Sequence, residues 1–81
     1  MTFLAVIQRE MALICGVSAA SVQPEARLIS FGLDSVRTMD LIIGLEAEFD
    51  IDIPDADIAQ LETVADVISL VKEKVERKTA V

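Results

Sequence analysis

A chain of 81 residues has room for one small core and hardly for two, so residues 1–81 are expected to form a single domain. The hydrophobic fraction is 53%, yet no uninterrupted apolar run approaches the roughly 18 residues that span a bilayer, and membrane insertion is not expected. Net charge is −7, with no histidine and one cysteine. A Ser-His-Asp or Cys-His nucleophile therefore cannot be assembled from this chain, nor can a zinc shell of thiols and imidazoles, and phosphate-rich nucleic acid would meet an acidic surface.

The opening MTFLAVIQREMALIC lacks a basic start, and Arg9 and Glu10 break its apolar run. It does not read as a secretory signal, and a cytoplasmic protein is expected. Leu4, Ile7, Met11 and Ile14 recur at helical spacing, with Thr2 as a cap and Gly16 as a stop, which predicts the first helix. Cys15 has no partner for an internal disulfide, and packing is its expected role. Between Gly16 and Asp34 the stretch GVSAASVQPEARLISFGL has no sustained period and reads as a long loop, pinned to the core by Val22, Leu28 and Phe31.

A second helix is predicted from Ser35 to Phe49, with Asp34 or Ser35 at its start. The alternation DIDI that follows suggests a strand, but Pro54 comes at once and no second strand is available to pair with it, so it reads as a loop. Asp55 is expected to cap a short third helix around Ile58 and Leu61. The D-x-D spacing also invites comparison with a calcium loop opening at Asp50. That comparison fails, because the sixth position is Asp55 instead of glycine and the twelfth is Leu61 instead of glutamate; no metal site is predicted. Thr63 and Asp66 resemble a capping box, and Val64, Val67, Ile68, Val71 and Val75 share one face of a fourth helix, with residues from about 78 to 81 expected to fray. The fold class that results is all-α: a small four-helix bundle of three longer helices and one short third helix, with a long loop between the first two.

Charge and periodicity together single out the second helix. From Asp34 to Asp66 there are ten acids and a single base, Arg37, a concentration that favours attraction of a basic partner. On a helical wheel with Val36 at 0°, Leu41, Leu45, Phe49 and Ile42 fall between about 140° and 240°, a continuous core stripe. Val36, Met39 and Ile43 lie on a separate arc near 0°, 300° and 340°, flanked by Asp40 and Glu46. Two readings stand: this second arc packs under the long loop, or it is a partner-docking face beside Ser35. Ser35 itself, between an acid and an apolar residue, is either a helix cap or a site that carries something.

The run FGLDSV, followed by MDLIIGLEAEFDIDIPDADI, resembles the helix-two signature and following loop of the acyl carrier proteins, strongly from Leu28 to Asp57 and, in helix order, over nearly the whole chain. The resemblance implies that Ser35 is the attachment point of 4′-phosphopantetheine, with Asp34 the acid that precedes it. It implies a carrier of acyl groups as thioesters, not an enzyme, serving fatty acid or polyketide and specialised lipid biosynthesis as a discrete monomer. The implied partners are a phosphopantetheinyl transferase and acyl-loading and condensing enzymes with basic surfaces, docking on Val36, Arg37, Met39, Asp40, Ile43 and Glu46. The chain departs from the family pattern at Arg37, where an acid is frequent, at Gly44, which interrupts the second helix, and at Asp50, which replaces a frequent glycine and is expected to adopt the left-handed conformation at modest cost. G-L-D-S in place of the G-G-x-S of peptidyl carriers favours acyl over aminoacyl cargo. The alternatives are an aminoacyl carrier, or a small acidic adaptor that uses the helix-two face with Ser35 only a cap.

Overall fold

The computed structural model describes residues 2–79 and contains four α-helices: α1 (Phe3–Cys15), α2 (Ser35–Phe49), α3 (Asp55–Ile58) and α4 (Val64–Thr79). Their packing follows from where the apolar residues fall. Val6, Ile7 and Met11 of α1, Leu41, Ile42 and Leu45 of α2, and Val64, Val67 and Val71 of α4 are buried together, joined by Val22, Leu28 and Ile53 from the connections. No strand occurs among the described residues, and the all-α bundle with one short third helix is the observed architecture.

Each helix end has a local chemical cause. Thr2 Oγ1 accepts the Ala5 N–H at 3.1 Å, and Gly16 closes α1 in the left-handed conformation at φ 68°, its N–H donating to the Ala12 carbonyl. At the start of α4, Asp66 Oδ2 accepts the N–H groups of Glu62 and Thr63 at 2.9 and 3.0 Å, while Thr63 Oγ1 accepts the Asp66 N–H at 3.2 Å. This reciprocal pair is the capping box the sequence suggested. These hydrogen bonds hold the Asp66 carboxyl below its ordinary range.

Four expectations are corrected. Asp55 does not cap α3: Pro54 occupies that position with extended backbone, Asp55 is the first helical residue, and the helix ends before Leu61. Proline suits that place because the N–H it lacks would have no helical partner there. The long connection is not without regular structure, for it contains two 3₁₀ turns, Ala19–Ser21 and Leu28–Phe31. It is also tied to the segment before α4 by an antiparallel bridge between Arg27 and Thr63, with Leu28 N–H donating to Glu62 O at 2.9 Å and Val64 N–H to Ala26 O at 3.0 Å. Gly44 does not interrupt α2, which runs unbroken through it; a Cβ there would lie 2.9 Å from Glu10 Oε2, so the glycine marks a close approach of α1. Finally, α4 does not end at Arg77. It continues to Thr79, and Lys78 Nζ donates to Asp50 Oδ2 at 3.0 Å and to Phe49 O at 3.3 Å; residues 80 and 81 lie outside the described part.

That last contact explains how the end of α2 tolerates Asp50. Its backbone is left-handed at φ 53° and ψ 53°, a conformation Asp reaches more readily than most side chains, and the lysine bridges it to α4.

Candidate functional site

The start of α2 settles which residue is the cap. Asp34 takes extended backbone at the N-cap and its Oδ1 accepts the Arg37 N–H at 2.8 Å. Ser35 is therefore the first helical residue, exposed, and its hydroxyl makes no hydrogen bond among the described residues. With the capping duty performed by its neighbour, the serine oxygen is left at the surface, at the positive end of a 15-residue helix whose first-turn N–H groups lack intrahelical partners.

The two apolar groups of α2 separate as the wheel predicts. Leu41, Ile42 and Leu45 are at most 1% exposed, and Phe49, half-buried, packs on Phe3 with ring centroids 5.6 Å apart. Val36, Met39 and Ile43 are 69%, 42% and 58% exposed. They do not pack under the long connection but form an open apolar face beside Ser35. Asp40 and Arg37 are exposed along its edge. Glu46 is not part of that rim: its Oε2 accepts the Ile53 N–H at 2.9 Å in a partly buried position, which anchors the loop after α2. Sequence reasoning missed two further exposed apolar side chains, Leu13 at 75% and Ile29 at 76%. Leu13 falls outside the Leu4, Ile7, Met11 and Ile14 spacing of α1, a signal available on the wheel; Ile29 sits in a turn with no period to expose it.

A cleft of about 350 Å³ opens next to this helix start, with Leu28, Ile29, Leu33, Ile58 and Leu61 as apolar walls and Arg27, Thr38 and Glu62 at its polar positions. Leu33 and Thr38 precede and follow Ser35 in the chain, so the cleft and the serine share one end of α2. Cys15 is half-buried, and burial pushes its thiol above the ordinary value although the charge of Arg37 pulls the other way. It belongs to the packing, not to a reactive site.

The phosphopantetheine attachment site family matches residues 5–71, which includes all of α1, α2 and α3 except the first two residues of α1. The chain belongs to this family of carrier proteins. Among curated relatives it is similar to the acyl carrier protein of Thermotoga maritima, 38% identical over 60 residues that cover 73% of this chain and 74% of the relative. The acyl carrier protein of Picosynechococcus sp. is 42% identical over 59 residues, covering 72% and 73%. A crystal structure of the Thermotoga maritima acyl carrier protein superposes with a TM-score of 0.78 at 28% identity, over 88% of this chain and 84% of that one. The solution structure of a holo acyl carrier protein from Geobacter metallireducens superposes with a TM-score of 0.84 over 99% and 93%, and at 23% identity it supports the fold alone. Domains of this family carry a covalently attached phosphopantetheine and act as carriers, not catalysts.

Proposed function

We propose that Ser35 is the residue that bears the phosphopantetheine arm, and that the chain, as a single carrier domain, presents acyl intermediates of fatty acid or polyketide and specialised lipid biosynthesis to partner enzymes. The observation that carries this reading is the division of labour at the α2 start: Asp34 caps the helix through the Arg37 N–H, leaving the Ser35 hydroxyl exposed and free. A cap serine would have its oxygen occupied.

The site fits the group. A phosphodiester on Ser35 would sit at the helix N-terminus, where the unpaired N–H groups and the helix dipole favour an anion, with Asp34 opposing it locally. When bound, the arm supplies a thiol that holds an acyl group as a thioester. The remaining roles fall to this chain's residues. Leu33 and Thr38 offer a cleft wall adjacent to the attachment point, and the exposed Val36, Met39 and Ile43 with Asp40 offer a face to enzymes with basic surfaces. Arg37 forms part of the same edge. A phosphopantetheinyl transferase is the partner that installs the arm, with Ser35 as its substrate. Acyl-loading and condensing enzymes are the partners that use it, and a cytoplasmic setting suits them.

Incubation with coenzyme A and a broad-specificity phosphopantetheinyl transferase, followed by intact mass measurement, tests the reading. The expected result is one phosphopantetheine per chain for the wild type and none for a folded Ser35→Ala variant. A wild type that stays unmodified overturns it.

A further inference from the structure

Of the four helices, α3 is the least anchored. It has four residues, none of them buried, and no side chain caps its start. The backbone on either side of it is fixed. Ile53 N–H donates to Glu46 Oε2 before it; after it, Glu62 O accepts the Leu28 N–H at 2.9 Å and Glu62 N–H donates to Asp66 Oδ2. Between these points there is space on two sides. Ile58 and Leu61 form one wall of the 350 Å³ cleft that shares an end of α2 with Ser35. A second cavity, of about 270 Å³, has Asp57 and Leu61 on one side and Ser69, Leu70 and Glu73 of α4 on the other. An element with open volume on two sides lacks the close packing that fixes a core side chain, so its position depends on the few specific contacts it makes.

One charged contact reaches α3. Lys74 Nζ of α4 lies 2.9 Å from Asp57 Oδ2, the only ion pair that α3 enters among the described residues. Its setting differs from that of Arg77 and Glu73, which pair at 2.8 Å as two exposed side chains of the same helix and so tie no second element down. The Lys74 side chain is only 17% exposed, so water and salt screen its bond less, and the bond joins α4 to α3.

We propose that Lys74 is a positioning residue for the carrier function: its bond to Asp57 holds α3 in place as a wall of the cleft beside Ser35, and cargo at that cleft is better shielded from nucleophiles in solution while the bond is made. Without the bond, α3 is tethered by its ends alone, and Ile58 and Leu61 no longer present a fixed apolar surface. Attack on a thioester carbonyl is slowed where water is kept out, so a loosened wall shortens its lifetime. The proposal rests on the carrier reading in that the shielded group is a thioester on an arm at Ser35.

Amide hydrogen exchange and thioester lifetime test it, on the wild type, Lys74→Met, Asp57→Asn, their double variant, Lys74→Arg and Arg77→Met. The N–H groups of Asp57, Ile58, Ala59, Gln60 and Leu61 are all hydrogen-bonded, so their exchange on the unloaded chain reports α3 directly. In Lys74→Met and Asp57→Asn they should exchange about two- to fivefold faster, the worth of one partly exposed ion pair, with the core amides of α1 and α2 unchanged. On chain loaded with an octanoyl arm, cleavage of the thioester by hydroxylamine, followed by intact mass, should accelerate by a similar factor. The double variant should be no faster than either single one, Lys74→Arg and Arg77→Met should stay near the wild type, and 1 M NaCl should narrow the gap between wild type and Lys74→Met. Exchange at α3 unchanged without Lys74, acceleration shared equally by the core amides, single effects that add in the double variant, or an equal effect of Arg77→Met overturns the proposal. Faster exchange with unchanged cleavage overturns the shielding role. A wild type that does not load sinks the carrier reading, and exchange on the unloaded chain then still decides whether Lys74 holds the wall.

Discussion

The separation of α2 into a buried and an open face makes a quantitative prediction for a pair of alanine substitutions two residues apart. Leu45 is 0% exposed among the core residues, so Leu45→Ala removes buried methyl groups and leaves a cavity, a change that costs about 2–5 kcal/mol. Ile43 is 58% exposed, so only about two-fifths of the roughly 1.5–3 kcal/mol available from burying an isoleucine is at stake. That is about 1 kcal/mol or less, and the better helix propensity of alanine offsets several tenths of it. An 81-residue domain has only about 4–12 kcal/mol to lose, at 0.05–0.15 kcal/mol per residue. Thermal unfolding followed by circular dichroism on the apo protein should therefore show a Tm fall of about 10–30 °C for Leu45→Ala and less than about 5 °C for Ile43→Ala, using roughly 4–8 °C per kcal/mol. Equal shifts would mean that Ile43 is core, and both the two-face description of α2 and the docking role of its open side would fail.

Gly44→Ala should stabilise the protein by up to about 1 kcal/mol in urea denaturation, because alanine favours a helix interior and the atom its Cβ meets is the end of the flexible Glu10 side chain; a loss of stability would show that the carboxylate cannot move. Asp50→Gly should raise the Tm more in 0.5 M NaCl than in low salt, since glycine removes the left-handed strain while salt has already weakened the Lys78 pair; the opposite order would contradict the reading of that contact. The Asp66 carboxyl is held below its ordinary value, so its stabilisation is present above pH about 4, the unfolded value, and is lost as pH falls through the lower folded value. Asp66→Asn should accordingly lower the Tm at pH 7 and converge on the wild type toward pH 2, and a pH-independent difference would remove the capping box as its cause. With ten acids against one base in its middle segment, the wild type should also gain Tm as NaCl rises, an effect a salt titration reads directly.

What was legible in the chain was whatever depends on neighbours in sequence. The bounds of α2, the stop at Gly16, the left-handed Asp50 and the Thr63–Asp66 box all follow from residues within a turn of one another, and each stands in the structure. Contacts across the fold left no such trace. The Arg27–Thr63 bridge joins segments that carry no strand pattern, and Lys78 finds Asp50 only because α4 packs along α2, which is why the tail read as frayed. Glu46 shows the same limit within the candidate site: the wheel puts it beside Met39, but a carboxylate on a flexible stem turned to an N–H of the following loop. The choice between Asp34 and Ser35 as cap was open for a related reason, both being good N-cap residues one position apart, and backbone geometry decided it.

The most direct measurement of the central claim is the position of the modification. Trypsin cutting after Arg27 and Arg37 releases LISFGLDSVR, a peptide with two serines, Ser30 and Ser35. Ser30 lies in a 3₁₀ turn and Ser35 opens α2. After loading with coenzyme A and the transferase, fragment-ion spectra of this peptide should place the phosphopantetheine on Ser35 with none on Ser30. Modification at Ser30, or on any other peptide of the chain, would contradict the account.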